Sequence, residues 1–516
     1  MSADSQLLPI ACRFAAPQSL DVDLLVLPWF EGEAPSSVPG LDSATAGEVA
    51  RALLSGEFAA RAFELFVTPV VDRAWSPRRI ALIGAGREAA FGPGLARQLA
   101  TAAGLAARTR RVDRLGLVMR PGLAAASGDV DVAGIVQAMA EGLTLAEFTG
   151  ASYQTSDPHR GWVPAFTIVI PDLRDTSPES PGRLEGAINR GRVLGTSSNL
   201  ARALANEPAN TLTPREFASR TSQIVTDGGA SAEVLDETEM HALGMGLLLG
   251  VARGSSEPPR MMVFRHNPVG VTSGPVLALV GKGITFDAGG ISIKPADGME
   301  KMKDDMAGGA AVACAIAAIA RLNAPIRVIG VVPATENMPG GRALKPGDVL
   351  RSAEGKTVEV INTDAEGRLV LGDALWYART QGATHLVDVA TLTGGIVVAL
   401  GKTTSGLFGG PDWWVEQVRR TGDRAGDRMW RLPLFDDYRD QLKSEIADMM
   451  NTAGRAASAI TAAMFLREFT GGLPWAHIDI AGTSWADENK PFMPKGATGV
   501  AVRTLAELAF TSEAWK

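Results

Sequence analysis

Five short, mainly apolar segments in the second half of the chain most constrain its fold. Their apolar content is typical of strands buried on both faces of a mostly parallel sheet with helices packed outside. Such sheets bind ligands beyond the carboxyl ends of their strands, and Lys282, Asp364 and Thr391 lie at these ends. The five predicted strands are Val276–Val280, Ile326–Val332, Val358–Ile361, Leu386–Ala390 and Ala476–Ile480.

The N-terminal part of the chain alternates strand and helix patterns, which predicts a separate α/β domain over residues 1–180. Pro171–Pro181 is rich in Pro, Ser and Asp and predicts a linker. The apolar spacing of Arg183–Ala205 predicts a long connecting helix within a segment 181–214. Since 516 residues exceed one ordinary core, the remaining residues, 215–516, are predicted to form a second domain.

Composition excludes several classes of protein. The net charge of -7 disfavours nucleic acid as a partner, because non-specific binding needs a basic face. No window holds the ~18 consecutive apolar residues of a membrane span, and the first residues lack the pattern of a signal peptide. The two cysteines, Cys12 and Cys314, do not suggest a disulfide framework or a zinc finger. We therefore expect a cytoplasmic protein with no membrane partner.

The stretch Asn362–Leu369 (NTDAEGRL) places two carboxylates and one guanidinium within five residues, directly after a predicted buried strand. Acidic side chains cost several kcal/mol to desolvate unless they are paired or bind a metal. Arg368 cannot neutralise both Asp364 and Glu366. A bound cation is therefore the partner that this stretch predicts.

A second segment, Val280–Pro295 (VGKGITFDAGGISIKP), lies about eighty residues upstream and is followed by Asp305. Together the two segments supply four carboxylates, whose charge of -4 balances two divalent cations about 3.5–4 Å apart. Hard oxygen ligands suit Mg, Mn or Zn. Taken singly, each residue also has an ordinary interpretation, namely helix capping for Asp305, Asp364 and Glu366 and a surface position for Lys282.

These segments resemble the signature of the leucyl (cytosol) aminopeptidase family, whose members are dinuclear metal-dependent exopeptidases. The match runs from Val280 to Leu371 and returns at Asp388–Gly394 and His477–Thr483. The resemblance implies an N-terminal macro-like α/β domain, joined by a long helix to a C-terminal catalytic domain with a mostly parallel central sheet flanked by helices. It also implies a homohexamer acting on peptides.

The resemblance assigns five metal ligands and two divalent metal ions per subunit. Asp287 and Glu366 would bridge both ions, which would be Mn or Zn, with Mg or Co as alternatives. Asp305 and Lys282 would complete the tighter site and Asp364 the looser one. Lys282 can bind a metal only as a free amine, and a neighbouring dication would lower its pKa.

The same resemblance implies the remaining roles in an aminopeptidase that removes Leu and other apolar N-terminal residues by two-metal activation of water. Lys294 would polarise the scissile carbonyl, and Arg368 would hold a bicarbonate that acts as general base. Met302, Thr391 and Gly394 match positions that line the first side-chain pocket. The 489–494 segment departs from the family as an insertion-like stretch near the rim of the active site, where it would alter substrate access. A preference for Cys-Gly or other dipeptides stays open.

Other functions have weaker support in the sequence. Gly84-Ala85-Gly86 resembles a degenerate dinucleotide fingerprint, although Arg108–Arg111 stands where an acidic residue is usual. A dinuclear phosphoesterase would usually employ His ligands, and the five histidines lie outside the acidic cluster. A binding module without catalysis is disfavoured by the complete ligand set, and a DNA-binding scaffold by the acidic charge.

Overall fold

The computed structural model describes residues 10–120, 123, 132–150, 153–156, 163–171 and 181–515. Contacts divide the chain into two compact units. The N-terminal unit comprises Met1–Thr196 with Asn489–Pro494, and the C-terminal unit comprises Ser197–Glu488 with Lys495–Lys516. The predicted limits at residues 180 and 214 stay a prediction, and most of the predicted linker lies outside the described residues.

The N-terminal unit contains a six-stranded sheet in the order β1-β6-β5-β2-β4-β3. Its neighbouring strands are parallel except for the pair β3 and β4, which is antiparallel. The strands are β1 (Ala11–Phe14), β2 (Leu24–Phe30), β3 (Leu65–Pro69), β4 (Arg79–Gly86), β5 (Arg114–Val118) and β6 (Ala165–Ile170). The helices of this unit are α1 (Leu41–Ala44), α2 (Glu48–Ser55), α3 (Pro93–Thr109) and α4 (Val132–Leu145). Helix α5 (Pro181–Asn206) begins in this unit and ends in the C-terminal unit.

Strand β2 shows why this sheet forms. Its seven residues are all buried, and successive side chains point to opposite faces. Leu24 therefore joins one apolar cluster with Leu99 of α3, whereas Leu25 joins another with Val49 of α2. Both faces of the strand are covered, as its continuous apolar sequence predicts.

The suspected dinucleotide fingerprint has a structural role in this unit. Gly84 lies within β4, and α3 begins only at Pro93. A Cβ on Gly84 would lie 1.9 Å from the carbonyl oxygen of Arg61. The glycine therefore permits a close approach of backbone to backbone, and the segment is not the phosphate-binding turn that opens a helix.

The C-terminal unit is built on a nine-stranded sheet in the order β16-β15-β18-β14-β9-β11-β8-β7, with β10 paired to β11. Strands β18, β14, β9 and β11 form a parallel centre. The strands are β7 (Ser231–Leu235), β8 (Arg260–His266), β9 (Val276–Gly281), β10 (Gly283–Asp287), β11 (Arg327–Asn337), β14 (His385–Ala390), β15 (Ser405–Gly410), β16 (Met429–Arg431) and β18 (Trp475–Asp479).

Helices cover this sheet, and β9, β14 and β18 are buried along their whole length. The sequence prediction of a mostly parallel, helix-flanked sheet is thus confirmed. The helices are α6 (Pro214–Asp227), α7 (Glu237–Ala242), α8 (Gly246–Ala252), α9 (Ala307–Arg321), α10 (Glu366–Thr380), α11 (Gly394–Leu400), α12 (Asp412–Ala425), α13 (Asp437–Asp440), α14 (Ser458–Arg467) and α15 (Val502–Leu508). In the part of the chain that the structure describes, no helix is both long and apolar enough to cross a membrane.

One predicted central strand is placed differently. The Val358–Ile361 segment contributes β13 (Thr357–Glu359) to a three-stranded sheet with β12 (Val349–Arg351) and β17 (Met449–Met450), and not to the central sheet. Val358 and Val360 are apolar because they pack into the core of the unit. A separate pair joins β19 (Trp485–Ala486) and β20 (Gly496–Ala497).

Candidate metal centre and active site

Lys282 occupies the single-residue break between β9 and β10. Its backbone N–H donates to the carbonyl of Val389 at the end of β14 (3.1 Å), and its own carbonyl accepts from Gly309 N in α9 (2.7 Å). The residue is therefore fixed between the sheet and a helix. Its side chain is buried, so the interpretation of Lys282 as a surface lysine is wrong.

The Lys282 ammonium lies among oxygen atoms from three other segments of the chain. Its Nζ is 2.8 Å from Oδ1 of Asp305, 2.8 Å from Oε1 of Glu366 and 3.1 Å from the carbonyl oxygen of Thr391. Burial lowers the pKa of this lysine, but Asp305, Glu366 and Asp287 outweigh burial and raise the pKa above its usual range.

Lys294 reaches the same cluster from the loop that follows β10. Its Nζ lies 2.8 Å from Oδ2 of Asp287 and also pairs with Asp364. Its side chain is 21% exposed. Burial opposes the charged form, yet the surrounding carboxylates raise the pKa of Lys294. Gly289 and Gly290, with φ of 88° and 68°, allow the loop to turn back towards the site.

The carboxylates converge as the motif predicts. One oxygen from each of Asp287, Asp364 and Glu366 lies within 4.8 Å of the others. Asp305 joins this group through Lys282, which contacts both Asp305 and Glu366. Burial raises the pKa of Asp305, Asp364 and Glu366, and repulsion from Asp287 raises each further.

These acidic residues do not cap helices. Helix α10 begins at Glu366 with Ala365 as its N-cap, and α9 follows Met306, and neither start has a side-chain capping hydrogen bond. The capping interpretation of Asp305, Asp364 and Glu366 is therefore wrong. Their carboxylates contact Lys282 or Lys294.

Arg368 lies one turn into α10, with a buried guanidinium. Its Nη1 donates to the carbonyl of Asn451 at 2.8 Å, and its Nε has no hydrogen-bond partner among the described residues. Burial lowers the pKa of Arg368 to about 10, although Glu366 and Asp479 oppose the shift. The charged guanidinium is thus held beside the carboxylate cluster in a poorly solvated position.

The three residues predicted to line the substrate pocket lie on three different segments, and one of them, Thr391, contacts the acidic cluster. The Thr391 hydroxyl donates to Oδ1 of Asp305 at 2.7 Å, which brings it into the cluster. Met302 lies in the 3₁₀ turn Met299–Asp304, and its carbonyl accepts from Asp305 N (3.3 Å). Gly394 is the first residue of α11, whose N-cap Thr393 donates to Asp479 at 2.7 Å.

Sequence inspection missed several buried polar residues around the cluster. Asn337 donates to Oδ1 of Asp287, and the Asn451 side chain accepts from Ile361 N, both at 2.8 Å. A buried amide has no motif of its own. The position of Asn337 a few residues after a predicted apolar strand was the only local signal.

His477 lies outside the acidic cluster, as the sequence predicts. Its Nδ1 pairs with Asp388 Oδ1 at 2.5 Å between β18 and β14, and both side chains are fully buried. Burial lowers the pKa of His477, but Asp388 outweighs burial and raises it. The residue therefore has a carboxylate partner in the sheet, apart from the acidic group that contains Asp287.

Known proteins are similar to this chain over most of its length. A model of the cytosol aminopeptidase family catalytic domain matches residues 199–506, and a model of the family's N-terminal domain matches residues 26–157. A probable cytosol aminopeptidase of Solibacter usitatus (strain Ellin6076) is 46% identical over 497 residues, which cover 96% of this chain and 97% of that protein. One from Koribacter versatilis (strain Ellin345) is 49% identical over 373 residues, or 72% of each chain.

Solved structures give the same result. The bottromycin maturation enzyme BotP in complex with Mn is 35% identical and superposes with a TM-score of 0.82, covering 95% of this chain and 99% of that one. A tomato leucine aminopeptidase mutant is 30% identical with a TM-score of 0.86, covering 99% and 98%. The chain therefore belongs to the cytosol aminopeptidase family and is an aminopeptidase, with its catalytic domain in residues 199–506.

Proposed function

We propose that this aminopeptidase removes Leu and other apolar residues from peptide N-termini with two divalent metal ions held by Lys282, Asp287, Asp305, Asp364 and Glu366. The observation that carries the proposal is the contact of four carboxylates with two lysines, Asp305 and Glu366 with Lys282 and Asp287 and Asp364 with Lys294. These charges come from a strand, a 3₁₀ turn, loops and a helix start, and a purely structural role does not require them to meet at one place.

The donor set fits divalent ions. Four carboxylates and two lysines leave a net charge of -2 in a buried site, and hard oxygen donors suit Mn²⁺, Zn²⁺ or Mg²⁺. Oδ2 of Asp305 and Oδ1 of Asp364 are buried and contact only the ammonium groups of Lys282 and Lys294 among the described residues. The Mn complex of BotP favours manganese as the first ion to test. When bound, two such ions would lower the pKa of a water molecule and polarise the scissile carbonyl.

The chain's own cations would divide the remaining work. Lys294 is partly exposed and aims its ammonium into the cluster, where it would stabilise the oxyanion that develops on the scissile carbonyl. Arg368 is buried, with its Nε unpaired among the described residues. It would hold a bicarbonate, and that anion would take the proton of the attacking water.

Substrate selection would follow from the segments beside Asp305. Met302 is soft and adaptable, and with Thr391 and Gly394 it would line a pocket for an apolar first side chain. The free α-amine of the substrate would bind at the tighter metal site, which restricts cleavage to N-termini. We further propose a location in the cytoplasm, because the named relatives are cytosol aminopeptidases. The proposed homohexamer rests on the resemblance to the family alone.

Hydrolysis of leucine-p-nitroanilide by the purified protein tests the proposal. The assay is run on protein as isolated, after EDTA, and after adding back Mn²⁺ or Zn²⁺. We expect EDTA to abolish turnover and metal to restore it. Asp364→Asn should need more Mn²⁺ than wild type, whereas the control Asp236→Asn, at the exposed N-cap of α7, should not. Turnover that survives complete metal removal would refute the two-metal mechanism.

A parallel assay with Cys-Gly and Leu-Gly decides substrate preference. A higher kcat/KM for Leu-Gly is expected from the proposed apolar pocket. The opposite order would reject the leucine preference and leave the metal site intact.

A further inference from the structure

Strand β11 ends at a buried asparagine that faces both parts of the proposed metal site. The side-chain Nδ2 of Asn337 lies 2.8 Å from Oδ1 of Asp287, 3.0 Å from the carbonyl oxygen of Thr363 and 3.4 Å from Oε2 of Glu366. One nitrogen thus contacts the β10 segment and the Asn362–Leu369 segment together. These two segments carry the carboxylates proposed to bridge the ions.

The orientation of this amide follows from its neighbours. All three contacts are acceptors, so a rotated amide would set Oδ1 against three oxygen atoms, two of them on carboxylates. With the nitrogen inward, Oδ1 faces the glycine loop, where a Cβ on Gly290 would lie 2.8 Å away. The main chain adds to this arrangement, because Ala288 N donates to the carbonyl of Asn337 at 2.9 Å.

The chemistry of a neutral donor suits this position. A carboxylate can accept about four hydrogen bonds through its two oxygens, so Asn337 occupies one oxygen of Asp287 and leaves Oδ2 for other partners. A lysine here would add a third positive charge, and a carboxylate would add repulsion. The amide instead fixes the direction of both side chains and leaves their charge unchanged.

We propose that Asn337 is a positioning residue that holds Asp287 and Glu366 in the orientation needed to share two metal ions. The inference rests on the proposed function, since it assigns a task within that metal site. Residues that orient metal ligands typically contribute 10–100-fold to metal affinity. We therefore expect the loss of this amide to weaken Mn²⁺ binding by about that factor.

The test measures metal binding and not only turnover. Full-length protein is stripped of metal, and Mn²⁺ is titrated in competition with a fluorescent chelator for wild type, Asn337→Leu and Thr335→Val. Asn337→Leu keeps the branching at Cγ and removes the donor. Thr335 is a matched control, because it is fully buried two residues earlier on β11 and donates to a backbone carbonyl. The melting temperature of each metal-free protein is recorded alongside.

We expect Thr335→Val to bind Mn²⁺ like wild type and Asn337→Leu to bind it about 10–100-fold more weakly, at a temperature where the melting curves show both metal-free proteins folded. Should Asn337→Leu fail to fold, Asn337→Ser takes its place with the same expectation. Equal affinities for wild type and the Asn337 variant would overturn this inference and leave the metal site standing. Wild-type protein that binds no Mn²⁺ would overturn the proposed function and this inference with it.

Discussion

Replacement of Gly308 by alanine should damage both stability and activity, because α9 touches the sheet at this residue. An ideal Cβ on Gly308 would lie 2.1 Å from the carbonyl oxygen of Val389, or 1.3 Å short of the 3.4 Å of ordinary contact. The obstacle is backbone of β14, so it cannot turn aside. The helix must therefore move away from the sheet by about 1 Å to admit the methyl group.

This movement should lower both the stability of the protein and the rate of the reaction. Overpacking in a well-packed core costs about 1–3 kcal/mol, which corresponds to roughly 2–4 °C of melting temperature per kcal/mol in a larger domain. Gly308 lies only three residues after Asp305, which contacts Lys282. A misplacement of about 1 Å at an active site can lower the rate about 100-fold. We therefore expect a loss of kcat/KM of that order.

A second glycine gives the matched control. Gly186 also lies within a helix, α5, and nothing stands within 4 Å of its ideal Cβ. Gly186→Ala should stabilise the protein by about 0.5–1 kcal/mol, since alanine is the better helix former. Thermal unfolding and the leucine-p-nitroanilide assay are applied to both variants. Gly308→Ala with the stability and turnover of Gly186→Ala would refute this account of the helix–sheet contact.

Two further substitutions test single contacts, and a third tests the pKa of a buried carboxyl group. Lys294→Met should lower kcat about 100- to 1000-fold, as expected for loss of an oxyanion-stabilising group, and an unchanged kcat would reject that role. Thr391→Val removes the 2.7 Å hydrogen bond to Asp305 and should weaken Mn²⁺ binding several-fold in a chelator titration. Burial raises the pKa of Asp373 to about 7 from 3.8. Because the folded state binds this proton more tightly, the carboxyl's contribution to stability falls as pH rises from about 4 to 7. Melting curves of wild type and Asp373→Asn should therefore diverge with pH in that window, and parallel curves would contradict the shift.

The central sheet was predictable because the apolar composition of its strands indicates that both of their faces are buried. Val276–Val280 is continuously apolar and Leu386–Ala390 is interrupted only by Asp388, and both form parallel strands buried on both faces. The Val358–Ile361 segment is also mainly apolar but pairs in a small separate sheet. A short apolar segment indicates a buried strand without indicating its partner, because strand pairing is set by residues far along the chain.

The candidate site was predictable to the extent that it depends on charge. Asp364 and Glu366 lie beside an apolar strand, and their burial requires positive partners. The structure supplies Lys294 for Asp364 and Lys282 for Glu366. That pairing joins residues about seventy to eighty positions apart, and no local pattern states which lysine meets which carboxylate. The role of Asn337 could not be predicted, because a neutral amide can equally lie on the surface and its presence alone does not indicate a buried partner.

The glycines around Lys282 connect the packing of the core with the geometry of the site. A Cβ on Gly281 would lie 2.5 Å from the carbonyl of Gly308, and one on Gly309 would lie 2.6 Å from Val332. Small residues on both strand and helix therefore allow α9 to lie directly on the ends of β9 and β11. Asp305 immediately precedes that helix, so the closeness of the packing sets the 2.8 Å contact between Asp305 and Lys282. The small residues of the core and the charged residues of the site thus form one arrangement, in which a methyl group added to the packing must displace a carboxylate of the site.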